Sequence, residues 1–346
     1  MMISGATDIA LDASQHLTMI LAGDIGATKT LLEVGDLRQG RWHPAFGRRY
    51  VGADHRDFDS VLRAFLLEWE ARHGSLEPIA RACFGVAGPV FDNCVQMTNL
   101  PWRLDGDAIS AAFGIARVRI SNDFAAAASG VDLLQAADLV TLQRGEPVAA
   151  APRVVIGAGT GLGVAYTIWA EGGYQAIAGE GGHIGFAPST PEQLELWRDL
   201  YTRHGRVVAE DVVSGPGLAR IREFLGRREG KSEAPATALP GGDAAAAIAH
   251  AALESGDPLC SHALDIFLSC YGAVAGDHAL AVMARGGVYV AGGIAAKVLP
   301  RLVSGGFLAA FNAKGNYSSA ARQIPVLVVT NERLGLLGAA LLAARC

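Results

Sequence analysis

The chain has 346 residues, a length that predicts more than one hydrophobic core, with two domains as the simplest arrangement. Apolar residues make up 51% and charged residues 18%, which excludes a disordered or solvating chain. The net charge of −5, with no basic block to offset it, argues against a nucleic-acid surface, so an anionic ligand must be held locally by backbone donors, metal ions or a few side chains.

In chain order, residues 1–18 carry Asp8 and Asp12 and no basic leader, so they read as an N-terminal extension and not a signal peptide, with Met19 an alternative start. Residues 19–34 read as a strand, a glycine turn and a returning strand around LAGDIGATKT. Residues 58–69 have the apolar spacing of a helix that stops near Gly74. Ile79–Val86 reads as a buried strand, and residues 118–121 as another, followed by Asn122, Asp123 and the helix-forming run FAAAASGV. A strand at 153–156 enters a second glycine loop, GAGTGLG at 157–163, and a β-type run follows it. Strand, small-residue turn and strand thus occur twice, which predicts a duplicated α/β protein whose two turns face one cleft. Residues 226–242 read as an exposed loop. Asp257-Pro258 caps a long helix predicted to end at Gly286-Gly287, and VYVAGGI and IPVLVVT read as strands. Leu334–Ala344 reads as the closing helix; its apolar run is well short of the ~20 residues that span a bilayer, and a soluble protein is expected. Five scattered cysteines without a CxxC pair fit reduced thiols and a cytoplasmic location.

The glycine loops are not nucleotide motifs of the common kinds. GAGTGLG is followed by a strand, so the helix-dipole logic of a dinucleotide fingerprint fails, and neither loop ends in the GK[ST] of a P-loop. Two hairpins rich in Gly and Thr can instead clamp phosphates from two sides, with backbone N–H groups and the Thr28 and Thr160 hydroxyls as donors; the competing reading is that the glycines only shape the turns. Asp24, an acid inside such a loop, makes sense if it meets the magnesium ion that accompanies a triphosphate, through water; the alternative is a turn-capping aspartate. Asn122-Asp123, at a strand end and a helix start, reads either as an N-cap or as a general base kept ionised by the helix N-terminus. In GEGGHIG (179–185) the glycines argue against a helix, and no cysteine cluster completes a zinc site. A buried loop carrying Glu180 and His183, with Glu210 downstream, suits a polyol, although Glu210 alone also reads as a solvated helix residue. Asn99 is a further hydroxyl partner, Trp102 is expected in the core, and Gly292 and Gly293 offer flat access to an adenine ring or make a plain turn.

GDIGATKT, FGVAGP, MTN, SNDFAAA, GAGTGLGVA, GEGGH, AEDVVSGPG and VYVAGGI, in that order, together resemble the bacterial glucokinase family, within the hexokinase, Hsp70 and actin superfamily. The resemblance runs from about Met19 to the end. It implies an α/β protein of two ribonuclease-H-like domains, 19–133 (joined by the C-terminal segment 331–346) and 134–330, around an interdomain cleft where ATP and sugar meet. It implies ATP-dependent phosphorylation of the glucose 6-hydroxyl, the first step of glycolysis, in a cytoplasmic homodimer that binds neither nucleic acid nor membrane. Asp123 would be the catalytic base, with Asn99, Asn122, Glu180, His183 and Glu210 around the sugar. Gly23, Asp24, Ile25, Gly26, Ala27 and Thr28 would hold ATP, as would Gly157, Gly159, Thr160 and Gly161, with Gly293 near the nucleoside and Asp24 on magnesium through water. Alternatives within the fold are a kinase for another hexose or amino sugar, a polyphosphate-dependent kinase, a sugar-binding regulator, or an actin-like or chaperone ATPase. Two departures stand out. Ala27 replaces the second glycine of the usual GDxGGT, which strains the turn by on the order of 1 kcal/mol if φ is positive there. Lys29 stands where some members have Asn and is read as an outward-facing charge, with a phosphate partner as the alternative.

Overall fold

The computed structural model describes residues 19–26, 28–74, 78–97, 100–230 and 243–346. The expectations placed on residues 1–18, Ala27 and Asn99 therefore lie outside the described residues. The strands are β1 (Met19–Ile25), β2 (Lys29–Arg38), β3 (Arg41–Val51), β4 (Ile79–Val86), β5 (Cys94–Gln96), β6 (Arg103–Asp105), β7 (Arg117–Asn122), β8 (Leu139–Gln143), β9 (Arg153–Ala158), β10 (Leu162–Ala170), β11 (Gly173–Gly179), β12 (Gly287–Ala291) and β13 (Val326–Val329). One sheet has the order β3-β2-β1-β4-β7 and the other β11-β10-β9-β12-β13-β8. In each, a three-stranded antiparallel meander is extended by two parallel strands, β1 to β4 to β7 and β9 to β12 to β13. The duplication predicted from the two glycine hairpins is thus a duplication of whole sheets of ribonuclease-H-like order; β8 is an added antiparallel edge.

Parallel central strands need helices on both faces, and β4 accordingly reads as a continuous buried run in its second half. Ile20, Ala22 and Cys83 of the first sheet form a core with the closing helix Leu334–Ala344, although more than two hundred residues separate them in sequence. A second core gathers β9, β12 and β13 with the helices Gly215–Arg228 and Pro258–Ala281. Pro258–Ala281 is long and apolar enough to cross a bilayer by composition alone, but 78% of its most apolar window is buried in the protein. It is the central helix of a core.

The sequence expectations need two corrections. Pro258–Ala281 stops short of Gly286-Gly287 because Met283 adopts a left-handed φ of 47°, after which the chain turns into β12. The helix Gly215–Arg228 runs past the start of the segment 226–242 expected to be loop, and its apolar face buries Phe224, Leu225 and Gly226; residues 231–242 of that expectation lie outside the described residues.

The helices Asp123–Gly130 and Leu334–Ala344 cross almost backbone to backbone. A Cβ at Gly338 would lie 1.6 Å from the Ala126 carbonyl oxygen, and one at Gly130 would lie 2.3 Å from the Leu334 carbonyl oxygen. Hydrogen is the only side chain that fits at either point. Gly338→Ala is therefore expected to destabilise by about 3 kcal/mol or more, since the overlap is with backbone. Gly306→Ala, where a Cβ meets nothing within 4 Å, should be close to neutral. Urea unfolding of both variants checks the pair.

Candidate active site

The first hairpin joins β1 to β2. Gly26 N–H donates to the Lys29 carbonyl at 2.9 Å, which closes the turn and leaves that amide unavailable to a phosphate. Gly23 lies within β1, where a Cβ would stand 2.6 Å from the Phe84 ring, and Ile25 belongs to the core. Gly23 and Ile25, expected to hold ATP, thus serve packing. Thr28 is exposed at the start of the returning strand. Asp24 lies over the first turn of Leu334–Ala344, close enough that a Cβ at Gly335 would be 3.0 Å from Oδ2. Burial raises its carboxyl above the usual range, and the Lys29 ammonium pulls it back down. Lys29 itself lines a cavity of about 350 Å³ with Asp24, Asp123 and Gly293. The expected outward-facing charge is therefore turned into the cleft.

The second hairpin joins β9 to β10. A Cβ at Gly157 would lie 2.8 Å from the Phe124 ring and one at Gly163 only 2.0 Å from it, so these glycines make room for an aromatic side chain one residue past Asp123. Gly157, also expected at ATP, is a packing residue. Gly159 N–H donates to Gly161 O at 2.8 Å, again closing a turn, and Gly159 O accepts from Gly215 N–H at 2.8 Å. Thr160 is exposed. Thr28 from the first hairpin and Gly159 and Thr160 from the second line one cavity of about 570 Å³ with Gly215, Gly293 and Lys297. Gly293 and Lys297 also line the smaller cavity that holds Asp24 and Asp123. The two glycine hairpins thus open onto a shared space.

The pair Asn122-Asp123 divides the two roles weighed for it. Asn122 is the helix cap: its Oδ1 accepts from Phe124 and Ala125 N–H, both at 3.0 Å, while its amide donates to the Gly88 carbonyl at 3.2 Å. Asn122, expected at the sugar, has one amide hydrogen left for it. Asp123 is the first helical residue, and its Oδ1 accepts from Phe124 N–H at 2.8 Å. Burial raises its carboxyl to about 6, the Phe124 amide opposes the shift, and the charges of Asp24 and Glu180 add to it. Three carboxylates from three distant stretches therefore converge.

The loop after β11 is built on glycine. A Cβ at Gly182 would lie 2.1 Å from the Leu162 carbonyl oxygen, and one at Gly181 would be 2.7 Å from Val164 Cβ, so the loop crosses β10 at backbone distance. It was expected to be buried; Gly182 is, but Glu180 and His183 are exposed. Glu210 is neither a solvated helix residue nor free on both oxygens. Leu162 N–H donates to its Oε2 at 2.8 Å, and Gly161 has no Cβ to obstruct that contact. An isolated antiparallel bridge between Gly185 and Val208 and the Ala209 N–H bond to Ile184 O, at 2.9 Å, hold this carboxylate beside the Glu180–His183 loop.

Trp102 is 1% exposed, as expected of a core residue. Gly292 has a φ of 86° and a Cβ there would meet the Ala158 carbonyl oxygen at 2.6 Å, so the turn after β12 requires glycine, while Gly293 has open space. Sequence reasoning missed Lys297. Its spacing of four from Gly293 on a short helix places both on the same cavity wall, a signal that was present in AGGIAAK.

Asp123 has a consequence for stability. With a native value of about 6 against 3.8 unfolded, the native state binds the proton more tightly, so the group favours folding at low pH and opposes it fully above about pH 6. Asp123→Asn keeps the Oδ1 acceptor and removes the charge. It should stabilise the protein at pH 7 by up to about 3 kcal/mol, with the gain vanishing near pH 3.8 and below. Thermal melts of both proteins across that range check it.

The Glucokinase family model matches residues 21–346. Glucokinase of Nostoc punctiforme is 39% identical over 346 residues, covering 95% of this chain and 100% of its own. Among solved structures, glucokinase from an Antarctic psychrotroph superposes with a TM-score of 0.82 at 29% identity, over 96% of this chain and 100% of the other. A ROK family glucokinase from Streptomyces griseus, solved with glucose and AMPPNP, shares the fold at a TM-score of 0.63 and 22% identity, over 95% of this chain and 100% of the other. The match of family and of fold covers both sheets, whose hairpins open on one cavity, from residue 21 onward: the chain belongs to the glucokinase family.

Proposed function

We infer that this protein transfers the terminal phosphoryl group of ATP to the 6-hydroxyl of glucose, the first step of glycolysis. The observation that carries the reading is the junction of two cavities: Thr28 and Thr160 line one, Asp24, Lys29 and Asp123 line the other, and Gly293 and Lys297 belong to both. The larger, mostly apolar at Ala245, Ala249 and Ile294, suits a nucleoside, and the smaller suits the reacting groups. Asp123 accepts the proton of the sugar hydroxyl as its oxygen bonds to phosphorus and the bond to ADP breaks. The transition state is loose, so positioning and charge neutralisation dominate and the base acts late. Lys29 and Lys297 supply positive charge beside the phosphates, where turn closure already uses the Gly26 and Gly159 amides.

A divalent cation fits this site. Its acids offer oxygen donors, and among the described residues no three His, Cys, Asp or Glu side chains stand close enough to hold an ion by themselves. Magnesium suits such a site because it keeps several waters and uses few carboxylates. Asp24 would hold it through water, where it would neutralise phosphate charge. Around the sugar we place Glu180, His183, the Oε1 oxygen of Glu210, the remaining amide hydrogen of Asn122, and Asn99. Closure of the two halves would exclude water from the reacting phosphate. We divide the chain at 133/134 and assign 331–346 to the first domain, because Leu334–Ala344 shares a core with β1. A cytoplasmic homodimer completes the reading, and sedimentation of the purified protein tests its dimeric part.

Coupled assay of ADP release with ATP and magnesium, with and without glucose, tests the function. Glucose-dependent release is expected; equal release without sugar marks an ATPase, and a panel of hexoses and amino sugars fixes the acceptor. Asp123→Ala should lower kcat by about 10²- to 10⁴-fold while the glucose dissociation constant changes little; wild-type kcat in this variant overturns the assignment. With Asp123 at about 6, kcat/KM should rise with pH up to that value and then level, since the carboxylate is the active form. Lys29→Met should raise KM for ATP by about tenfold and leave KM for glucose nearly unchanged.

A further inference from the structure

The parallel ladder between β9 and β12 ends at the pair Gly157 and Ala291, and beyond it each strand runs into a turn of the candidate site. β9 enters the turn at 159–161, and β12 enters the turn at 292–293. Ala158 is buried where the strands diverge, so its N–H needs a partner past the end of the ladder. A side chain from outside the sheet supplies it. Tyr271, on the helix Pro258–Ala281, places its hydroxyl between the two strand ends. Ala158 N–H donates to Tyr271 Oη at 3.2 Å, and Oη donates to the Ile156 carbonyl at 3.2 Å. The Ala291 carbonyl, the last of β12, stands 3.5 Å from the same hydroxyl.

Packing alone does not ask for this hydroxyl. Tyr271 is fully buried, and its ring meets Phe267 and Phe307 edge to face, with centroids 5.9 and 5.4 Å away. Phenylalanine would fill the same space without a polar group to satisfy. Burial raises the pKa of the phenol, so the hydroxyl keeps its proton at pH 7 and serves as donor and acceptor together. What the hydroxyl adds is spacing. Gly292, at a φ of 86°, rests on Ala158: a Cβ there would lie 2.6 Å from the Ala158 carbonyl oxygen and 3.1 Å from its nitrogen. The residue that Tyr271 bonds is thus the floor on which the turn after β12 sits. Gly159 and Thr160, next along the chain from Ala158, line the larger cavity with Gly293.

We propose that Tyr271 is a positioning residue for the nucleotide: its hydroxyl, wedged between the ends of β9 and β12, sets the separation of the two turns that border ATP. This rests on the reading that the larger cavity takes the nucleoside. Without the hydroxyl, Ala158 N–H is left buried and unpaired unless the strand ends close toward each other, which narrows the gap between the turns.

Two variants separate positioning from packing. Tyr271→Phe removes one oxygen and keeps the ring. It should raise KM for ATP, and the dissociation constant of AMPPNP measured by calorimetry, about tenfold, with KM for glucose within about twofold of wild type. Phe307→Leu thins the core beside the same ring and leaves the hydroxyl in place. It should lower the melting temperature without moving either nucleotide value. Unchanged nucleotide values in Tyr271→Phe overturn the proposal, and so does an equal rise in both variants or a rise shared by ATP and glucose. If Tyr271→Phe unfolds in plain buffer, the comparison is made in sucrose, which favours the folded state, and the same outcomes decide. Ala245→Phe tests the reading beneath the proposal, because it fills the larger cavity. If AMPPNP still binds that variant as it binds the wild type, the nucleotide lies elsewhere and both fall. If binding is lost there while Tyr271→Phe binds normally, only the role of Tyr271 falls.

Discussion

The crossing of the helices Asp123–Gly130 and Leu334–Ala344 is the constraint on which the site depends. At Gly338 and Gly130 each backbone contacts the other without an intervening side chain. Gly85 extends the same closeness to the sheet, since a Cβ there would lie 3.0 Å from Ala126 Cβ and 3.7 Å from Asp123 Cα. Three glycines thus set the height of Asp123 above β4. The crossing also brings the first turn of the closing helix over β1, where Gly335 lies beneath the Asp24 carboxylate. A helix N-terminus attracts negative charge, so the chain's last helix favours the ionised form of an acid near its beginning. Were the helices 1 Å further apart, both carboxylates would move relative to the hairpins.

That arrangement sets electrostatics against stability. The charges of Asp24 and Glu180 act on Asp123, burial disfavours the charge on Asp24 and Asp123, and the Lys29 ammonium opposes that effect at Asp24. Left to folding alone, such a cluster would be neutralised or replaced by apolar residues. It makes sense where a polyanion and its cation enter together, because each added charge then has a partner. In the proposed reaction the raised value at Asp123 has a use, since a base that titrates near 6 would be ionised at neutral pH and still basic enough to accept a proton. The strain on the native state and the reactivity of the base come from the same burial.

Much of this was legible in the sequence. The hairpin after β1, the stop at Gly74, the Asp257-Pro258 cap and the limits of Leu334–Ala344 follow from local periodicity and capping, which a single sequence carries. What it could not carry is which face of a glycine is occupied. Gly23 and Gly157 sit in nucleotide-like loops, and by letter they are indistinguishable from Gly159. Only packing reveals that Phe84 and Phe124 fill the space beside the first two while a Cβ on the third would meet nothing within 4 Å. The same holds for Glu210, whose bond to Leu162 N–H joins residues 48 positions apart. Lys29, read as an outward-facing charge, stands at the mouth of the hairpin, where outward means toward the cleft.

The two halves share a strand order yet contribute different chemistry, and the difference lies in what each hairpin packs against. The first closes on Gly335 and a helix N-terminus, so it tolerates an acid and presents Asp24. The second closes on Phe124 and on the Glu210 carboxylate, so it has room only for glycine at 157, 161 and 163 and presents no charge of its own. Similar frames therefore differ in what they present: one wall carries Asp24 and Asp123, and the other ties its hairpin to the Glu210 carboxylate through Leu162 N–H. The Gly159 carbonyl, bonded to Gly215 N–H, ties the same hairpin to the helix that borders the larger cavity. One strand pair, β9 and β10, thus connects the wall of the larger cavity to the Glu180–His183 loop, which crosses it at Gly181 and Gly182.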